Sequence, residues 1–468
     1  IEIEYKNLKA MTNKKYSRRT FLKKSALTGL GIGLAAGATP NLVTGCAKGA
    51  GNPAILGGQA VRDKGWPDWP VWKPDKDEER IIEVLRSGDW WRGAGNVVEE
   101  FEQKWAETIG AKRCVATVNG TNSLVISLFR LGIGPGDEVI VPPYTFIATI
   151  QSVLLVGAMP VFVDTDPATF QIDADKIEEK ITPRTAAILP VHILGLPADM
   201  EKIMNIARRH DLFVVEDACQ AWLAEINNNK MGTFGHAGCF SFQNSKHLPI
   251  GEGGAIVSDD EELMDRCFSH HNNGRSYGTV RSEHDSYPFV GTNNRMTEYQ
   301  AAVGLAQLKR MEEQTKRRVS NAEYLRNKIK DIPGILPYEL YDNVTRAAFH
   351  LFPFRYKKEE FQGLPRQKFL SALNEEGIPC SGGYSPLNKM SYFRDAFQWK
   401  MFQRVFPKDM LDFDRYVERN QCPENDRLCE EAVWFSQNLL LTEQSDMDDI
   451  ARAIEKIYNN SEKIKKSV

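Results

Sequence analysis

An excess of charge is missing from this chain. Its 468 residues carry 59 Lys and Arg against 62 Asp and Glu, a formal net charge of −3. Nothing in that balance supports the concentrated basic face that a nucleic-acid partner requires. Cysteine is sparse and unpatterned. None of Cys46, Cys114, Cys219, Cys239, Cys267, Cys380, Cys422 and Cys429 forms a CxxC pair, and the Cys422/Cys429 spacing fits no common zinc site. Several sit in apolar runs, where a thiol acts as a small core residue, so those are expected to be reduced and structural. No repeat with a period of about 20–50 residues is present, which excludes solenoids and propellers. Long apolar runs are lacking too. The stretch Ser25–Ala38, SALTGLGIGLAAGA, is short and glycine-rich, whereas a spanning helix needs about 20 apolar residues. What is present is an ordinary globular composition, 42% hydrophobic and 26% charged, in a chain long enough for about two or three domains.

The short apolar stretch has a telling neighbour. Lys14, Lys15, Arg18 and Arg19 precede it, and a basic region followed by a short apolar one is the build of a secretory signal. Ser17-Arg18-Arg19-Thr20-Phe21-Leu22-Lys23 matches the twin-arginine pattern S-R-R-x-F-L-K at each specified position. Val43-Thr44-Gly45-Cys46 resembles a bacterial lipobox, which makes Cys46 a candidate lipidation site. Residues 1–46 are therefore expected to be an export signal that delivers the protein to the periplasm, with Met11 as its start. Residues 47–76 include GWPDWPVWKP and read as a linker or N-terminal arm rather than a helix or strand.

From residue 77 onward, short β-branched runs alternate with helical periods. DEVIVPPYTF, MPVFVDTD, AAILPVHILG and LFVVEDACQ each read as a buried strand ending in polar or turn residues. Amphipathic segments such as Ala174–Ile181 and Asp199–His210 lie between them. This alternation predicts an α/β large domain over residues 77–334, with a mostly parallel sheet covered by helices. A long helix from Met296 to about Ile332 leads into a smaller C-terminal domain, residues 335–468, closed by a helix over Met447–Asn459.

Ligands of such sheets bind beyond the carboxyl ends of the strands, so the residues just after each apolar run are the candidates. After Val115–Val118 come Asn119-Gly120-Thr121-Asn122-Ser123 and a helix. Free N–H groups and a positive dipole end at that helix start suit a phosphate, although Ser and Thr there also serve as plain caps. The next strand ends in Tyr144-Thr145-Phe146, where Phe146 offers either an aromatic face or core packing. Leu212–Glu216 delivers Asp217, with Gln220 one helical step on. An acid there is costly unless paired, and a protonated heterocyclic nitrogen is one such partner. The segment FSFQNSKHLPIGEGG, Phe240–Gly254, holds one lysine, Lys246, among apolar and small residues. Desolvation lowers a lysine pKa and frees the amine as a nucleophile.

From about Arg92 to Asn460 the chain resembles the DegT/DnrJ/StrS-type sugar aminotransferases, a branch of the fold-type I pyridoxal-phosphate enzymes. The resemblance is carried by GIGPGDEVIVPPYTFIAT, GAMPVFVDTDPATFQID, VVEDACQA, FSFQNSKHL..GEGGAIVSDD and GTNNRMTEYQAAVGLAQL. It implies that pyridoxal 5'-phosphate is the cofactor and that Lys246 forms the Schiff base and shuttles the proton. Asp217 would keep the pyridine nitrogen protonated. Phe146 would stack on the ring, with Gln220 on its other side. Gly120, Thr121, Asn122 and Ser241 match phosphate-binding positions. Asn293 matches the asparagine that reaches the neighbouring subunit's phosphate, which implies a homodimer with shared active sites. Two positions depart from the pattern: Asn119 replaces the usual serine, and Asn294 the usual tyrosine. The arm WPDWPVW, FQGLPRQKFLSALNEEGIPCSGGYSPL and CPENDRLCEEAVWF are similar to aminotransferases of inosose-type keto-cyclitols. A small-molecule amino donor, glutamate or glutamine, and a keto-sugar or keto-cyclitol acceptor are thereby implied. Relatives that act as dehydratases carry histidine at the lysine position, so Lys246, with His247 beside it, favours transamination over a lyase. A non-catalytic cofactor-binding protein is the other alternative; retention of both Lys246 and Asp217 argues against it.

Changing Arg18 and Arg19 together to Lys preserves the charge but destroys the twin-arginine signal. The double variant is expected to stay in the cytoplasm, while the parent is recovered from the periplasm or membrane fraction. Equal recovery of both outside the cytoplasm removes the export reading.

Overall fold

The computed structural model describes residues 51–467. The expected signal, its start at Met11 and the candidate lipidation site at Cys46 lie outside the described residues. Helix α1 (Pro74–Ser87) carries Pro74 in its first turn, where a missing N–H costs no helical hydrogen bond. Helix α2 (Val97–Ile109) buries Phe101 and Trp105. There follow β1 (Arg113–Thr117), α3 (Gly120–Arg130), β2 (Glu138–Val141), α4 (Ile147–Leu155), β3 (Met159–Phe162), β4 (Thr185–Ile188), α5 (Met200–His210) and β5 (Phe213–Asp217). Two small strands, β6 (Glu225–Ile226) and β7 (Asn229–Lys230), precede β8 (Ala237–Ser241) and β9 (Gly254–Ser258).

The main sheet has seven strands in the order β1-β9-β8-β5-β4-β2-β3. Neighbours from β3 to β8 are parallel, and only β9 runs against its two neighbours. Strands β2, β8 and β9 are buried at each residue. Covering on both faces explains why their sequences are continuous apolar runs rather than alternating ones. Because β1, β2, β5 and β8 point the same way, Asp217 and Ser241 end their strands, and Asn119 and Phe146 follow theirs, on one edge of the sheet.

One expected helix is not formed. Ala174–Ile181 folds as two single 3-10 turns, Ala174–Lys176 and Glu178–Lys180. The Asp173 side chain caps the first turn by accepting from Asp175 N–H, and Pro183 follows closely. Too few residues remain between them for a regular helix to propagate.

Helices α6 (Glu261–His271) and α7 (Glu298–Ile329) lead to the C-terminal part. Its elements are β10 (Ile335–Pro337), β11 (Val344–Arg346), β12 (Leu351–Tyr356), α8 (Arg366–Glu375), β13 (Ser381–Gly382), α9 (Tyr392–Ala396), α10 (Lys400–Val405), α11 (Phe413–Arg419), α12 (Pro423–Glu431), β14 (Ala432–Ser436), α13 (Gln444–Asn459) and α14 (Ser461–Lys466). Strands β10-β12-β14-β13 form an antiparallel sheet, and β11 pairs with the small ribbon of β6 and β7. The C-terminal part is not wholly separate. Phe393, Phe397, Phe402 and Tyr416 of α9–α11 share a core with Val139, Val141 and Phe162 of the main sheet. Tyr416 hydroxyl donates to the Pro160 carbonyl at 2.8 Å, and Asn420 Oδ1 accepts from Phe162 N–H at 2.8 Å. The edge strand β3 is thereby covered and its free N–H satisfied.

The arm upstream of α1 is fastened to the C-terminal part. Ile55, Leu56, Val61 and Trp66 pack against its core. The buried Glu376 carboxylate accepts from Ala54 N–H at 2.8 Å and from Val61 N–H at 2.9 Å. Arg62 pairs with Asp446 at 2.8 Å and Asp449 at 2.9 Å, and Lys64 adds a second cation to Asp446. The seven described cysteines are free, five of them buried, as their apolar surroundings imply.

Burial alone would raise the Asp446 carboxyl, but hydrogen bonds from Lys64 and Arg62 outweigh it and hold the pKa at about 2, below the ordinary 3.8. With the folded value the lower one, the stabilisation is full above a pH of about 4 and is lost as pH falls toward about 2. Asp446→Asn is expected to cost up to about 2 kcal/mol at neutral pH. Urea unfolding across pH should show that deficit closing at the acid end; a pH-independent deficit would point to lost shape rather than lost charge.

Candidate active site

Asp217, the last residue of β5, is 5% exposed. Its backbone is locked on both sides: its N–H donates to the Pro190 carbonyl at 2.9 Å, and its carbonyl accepts from His192 N–H at 3.1 Å. Its carboxylate accepts from the Thr149 hydroxyl at 2.7 Å and from Cys219 N–H at 3.1 Å. Thr149 lies in the first turn of α4, one turn after Thr145, whose hydroxyl is 2.9 Å away. Phe146 caps the same helix and is 56% exposed as a residue. A phenyl ring left open at a strand end offers a flat surface for another ring.

Helix α3 starts beside this carboxylate. Asn119 is its cap, accepting from Asn122 N–H at 2.9 Å. The amides of Gly120 and Thr121 are among those that a helix start leaves without intrahelical partners. Close packing forces glycine here. A Cβ on Gly120 would stand 2.7 Å from Cys219 Sγ and 2.8 Å from Ser241 Cβ. A Cβ on Gly254 would stand 2.4 Å from the carbonyl carbon of Asn119. The starts of α3 and β9 and the end of β8 therefore meet in one small cradle, with buried Ser241 on its wall.

Lys246 occupies the loop between β8 and β9. That loop is tied across its neck by Phe242 N–H to Gly253 carbonyl and by Asn244 N–H to Gly251 carbonyl, 2.8 and 2.9 Å. The Lys246 amine lies 5.8 Å from the centre of the Trp222 ring. Burial lowers its pKa below the ordinary 10.5, against the opposing pull of Cys219 and Asp217. Gln220 bridges two parts of the chain: its Oε1 accepts from Leu194 N–H at 2.9 Å, and its Nε2 donates to the Tyr384 hydroxyl at 3.0 Å. Burial pushes the Tyr384 phenol up to about 12.

The structure thus gathers Gly120, Thr121, Asn122, Phe146, Asp217, Gln220, Ser241 and Lys246 at the carboxyl edge of the main sheet. Among the described residues, no side-chain hydrogen bond joins Asn293 to these groups. It is exposed on the loop before α7, bridged to Asn272, while the next residue accepts from Val118 N–H at 3.0 Å. Thr149 and Tyr384 were not among the sequence candidates. Thr149 had a signal, its four-residue spacing from Thr145 behind a strand end. Tyr384 is 164 residues from Gln220, so no local pattern joins them.

Comparison with known proteins decides the class. Residues 73–407 match the model of the DegT/DnrJ/EryC1/StrS aminotransferase family. The chain belongs to this family. It is 35% identical to the L-glutamine:2-deoxy-scyllo-inosose aminotransferase of Streptomyces kanamyceticus, over 87% of this chain and 97% of that protein. It is 34% identical to the L-glutamine:scyllo-inosose aminotransferase of Streptomyces griseus, with the same coverage of each. Among solved structures, 3-amino-5-hydroxybenzoic acid synthase superposes with a TM-score of 0.73 at 30% identity, covering 86% of this chain and 100% of that one. The fold is that of the fold-type I aminotransferases, and pyridoxal 5'-phosphate is the cofactor of the family.

The residues present fit that cofactor. Close packing at Gly120 and Gly254 brings the backbone at the start of α3 up against Ser241, and the amides that a helix start leaves without intrahelical partners favour a negative charge. An ionised carboxylate has about four acceptor sites; Asp217 uses two in the bonds above, which leaves capacity for a protonated ring nitrogen. Phe146 supplies an open ring face, and Lys246 an amine that burial inclines to give up its proton. A group bound here would be held at its phosphate, its nitrogen and its carbonyl by three different strand ends.

Thr149→Val keeps the shape of the side chain but removes the hydroxyl donor to Asp217. A hydrogen bond to a charged acceptor contributes about 1.5–3 kcal/mol, so the variant should bind pyridoxal phosphate about tenfold or more weakly. Titration of apoprotein with cofactor, monitored by visible absorbance, measures this. Unchanged affinity would show that Asp217 needs no support from α4.

Proposed function

We propose that this aminotransferase moves the amino group of L-glutamine onto a keto-cyclitol of the inosose type, with the cofactor bonded to Lys246. The observation that carries the reading is the pairing of a half-buried lysine of depressed pKa with a buried, hydrogen-bonded carboxylate at adjacent strand ends. Similarity over nearly the whole length of glutamine:inosose aminotransferases supports the choice of donor and acceptor.

When bound, pyridoxal phosphate supplies an electron sink at the carbon that exchanges its proton. The chain's own groups do the rest. Asp217, whose carboxylate accepts from Thr149 and Cys219, would hold a proton on the ring nitrogen of the cofactor. The Lys246 amine, whose pKa burial lowers, would bond the carbonyl of the cofactor and, when released, would carry a proton to and from the reacting carbon. The Gln220–Tyr384 hydrogen bond braces the site by joining it to the C-terminal part, and the elevated phenol pKa keeps Tyr384 neutral at working pH.

Borohydride treatment of the yellow holoenzyme should fix the cofactor onto Lys246, as mapped by peptide mass spectrometry. Glutamine alone should then bleach the untreated holoenzyme, and an inosose should restore its colour with formation of an amino-cyclitol. Recovery of colour with a deoxygenated rather than an aminated product would instead mark a lyase. If the fixed adduct maps to another lysine, the site assignment fails.

The active form is proposed to be a homodimer with shared sites. Exposed Trp90, Trp91, Phe129 and Val290 give the chain apolar surface that a second copy would cover. Asn293, exposed and with no side-chain hydrogen bond among the described residues, would reach the partner's phosphate. Asn293→Ala and Lys246→Ala homodimers should each be nearly inactive. Co-refolded hybrids have one site with both defects and one with neither, so activity should reappear in proportion to the hybrid fraction. No recovery, with hybrids confirmed by native mass spectrometry, would place Asn293 elsewhere.

A further inference from the structure

The arm ahead of α1 ends on Lys246. Trp69 donates its indole N–H to the Lys246 backbone carbonyl at 3.2 Å, across 177 residues of sequence. The arm is pinned on each side of that contact. Asn438 donates to the Pro67 carbonyl at 2.8 Å, and Gln307 of α7 donates to the Val71 carbonyl at 3.0 Å. Beneath the indole lies Arg318, also on α7, whose guanidinium carbon is 5.3 Å from the Trp69 ring centre. Arg318 is fully buried. It is fixed by two donations to Gln437 Oε1, at 2.9 and 2.6 Å, and among the described residues it forms no ion pair with a carboxylate. A guanidinium over an indole is an attractive contact, stronger when desolvated. The indole is therefore clamped through its backbone on both flanks and through its face. The family match begins at residue 73, so this contact comes from a segment upstream of it.

We propose that Trp69 is a positioning residue for Lys246: its indole N–H fixes the lysine's backbone carbonyl, and Arg318 holds the indole in place. The proposal rests on Lys246 being the cofactor-bearing lysine. The loop around Lys246 has its own cross-bonds at Phe242 and Asn244, but the lysine sits beyond them, where a single backbone bond joins its N–H to the Gln243 carbonyl at 2.8 Å. Fixing the carbonyl on the other side of the same residue sets the direction in which the side chain leaves the loop.

Trp69→Phe keeps an aromatic ring in the arm but loses the N–H together with part of the indole's area. Trp66→Phe is the matched control, because Trp66 donates from the same arm to the Gly377 carbonyl, at 2.9 Å, and not to the lysine loop. For each holoenzyme, the visible absorbance is titrated against pH, and the melting temperature, kcat and KM are measured. Trp69→Phe should shift the midpoint of the absorbance titration by about half a pH unit or more, about a threefold change in the equilibrium. Its kcat should fall about three- to tenfold, the factor that one neutral hydrogen bond represents, with KM for the acceptor unchanged. Trp66→Phe should keep the wild-type midpoint and kcat. Trp69→His, which keeps a ring N–H, should lie closer to wild type than Trp69→Phe in both readouts. The proposal is overturned by a wild-type titration in Trp69→Phe, by an equal shift in Trp66→Phe, or by equal behaviour of the His and Phe variants. Borohydride mapping of the wild type separates this from a wrong cofactor lysine. An adduct on Lys246 with an unaffected Trp69→Phe defeats the positioning role alone, and an adduct elsewhere defeats both.

Discussion

Two carboxylates in succession close the central strand β5, and removing either from water without compensation would cost several kcal/mol. The chain treats them oppositely. Glu216 accepts from Gly232, Phe234 and Gly235 N–H groups at 2.7 Å each, and it meets His192 Nε2 at 3.0 Å. Its acceptor sites are filled by the chain's own donors, so it acts as a knot that ties the following loop to the strand. Asp217, pointing to the other face as strand alternation requires, receives the Thr149 hydroxyl and Cys219 N–H. The same strand thus carries a saturated acid for the fold and an unsaturated one for a ligand. Much of the remaining arrangement follows from the second. Thr149 can reach Asp217 only if α4 starts at the end of β2, and Cys219 only if the chain turns at once after β5.

The parallel sheet makes those starts coincide. A rule about strand ends, applied to apolar runs, marks Asp217 and Lys246 from the residues themselves; it leaves Phe146 open between an aromatic face and core packing, and Ser241 comes only from the family resemblance. Thr149 was less visible, since a threonine inside a helix start is common and its partner lies on another strand. Tyr384 was invisible: β13, the strand before it, has two residues, and what brings the tyrosine to Gln220 is the packing of β12 and β14 with β13. The expected helix over Ala174–Ile181 failed for a related reason. Its periodicity was sound, but its length between a cap and a proline could not support the cooperativity that helices need.

The arm shows another limit of local reading. Glycine, proline and tryptophan in close succession look like a linker because no periodic face is present. Its order comes from long-range contacts, such as Glu376 accepting two arm amides more than 300 residues away, and such contacts leave no pattern in the arm itself. The tryptophans carry the information instead. Trp66 and Trp69 each place an apolar body against the protein and an N–H on a specific carbonyl, as buried indoles tend to do.

The neighbourhood of Lys246 then has a consistent electrostatic character. Burial holds both His247 and His350 well below their ordinary pKa, with the charge of Arg318 acting in the same direction. The rings of Trp222, His247 and His350 lie within 5.1–5.8 Å of one another, so the lysine adjoins a patch of uncharged aromatic surface. The Trp222 face attracts a cation, but loss of water is the larger effect and disfavours the ammonium. Asp217 and Cys219 pull the other way. A protonated ring nitrogen held at Asp217 would place a second positive charge beside the lysine, and a like charge nearby disfavours an ammonium. Cofactor binding and release of the Lys246 proton would therefore be coupled through the carboxylate they share.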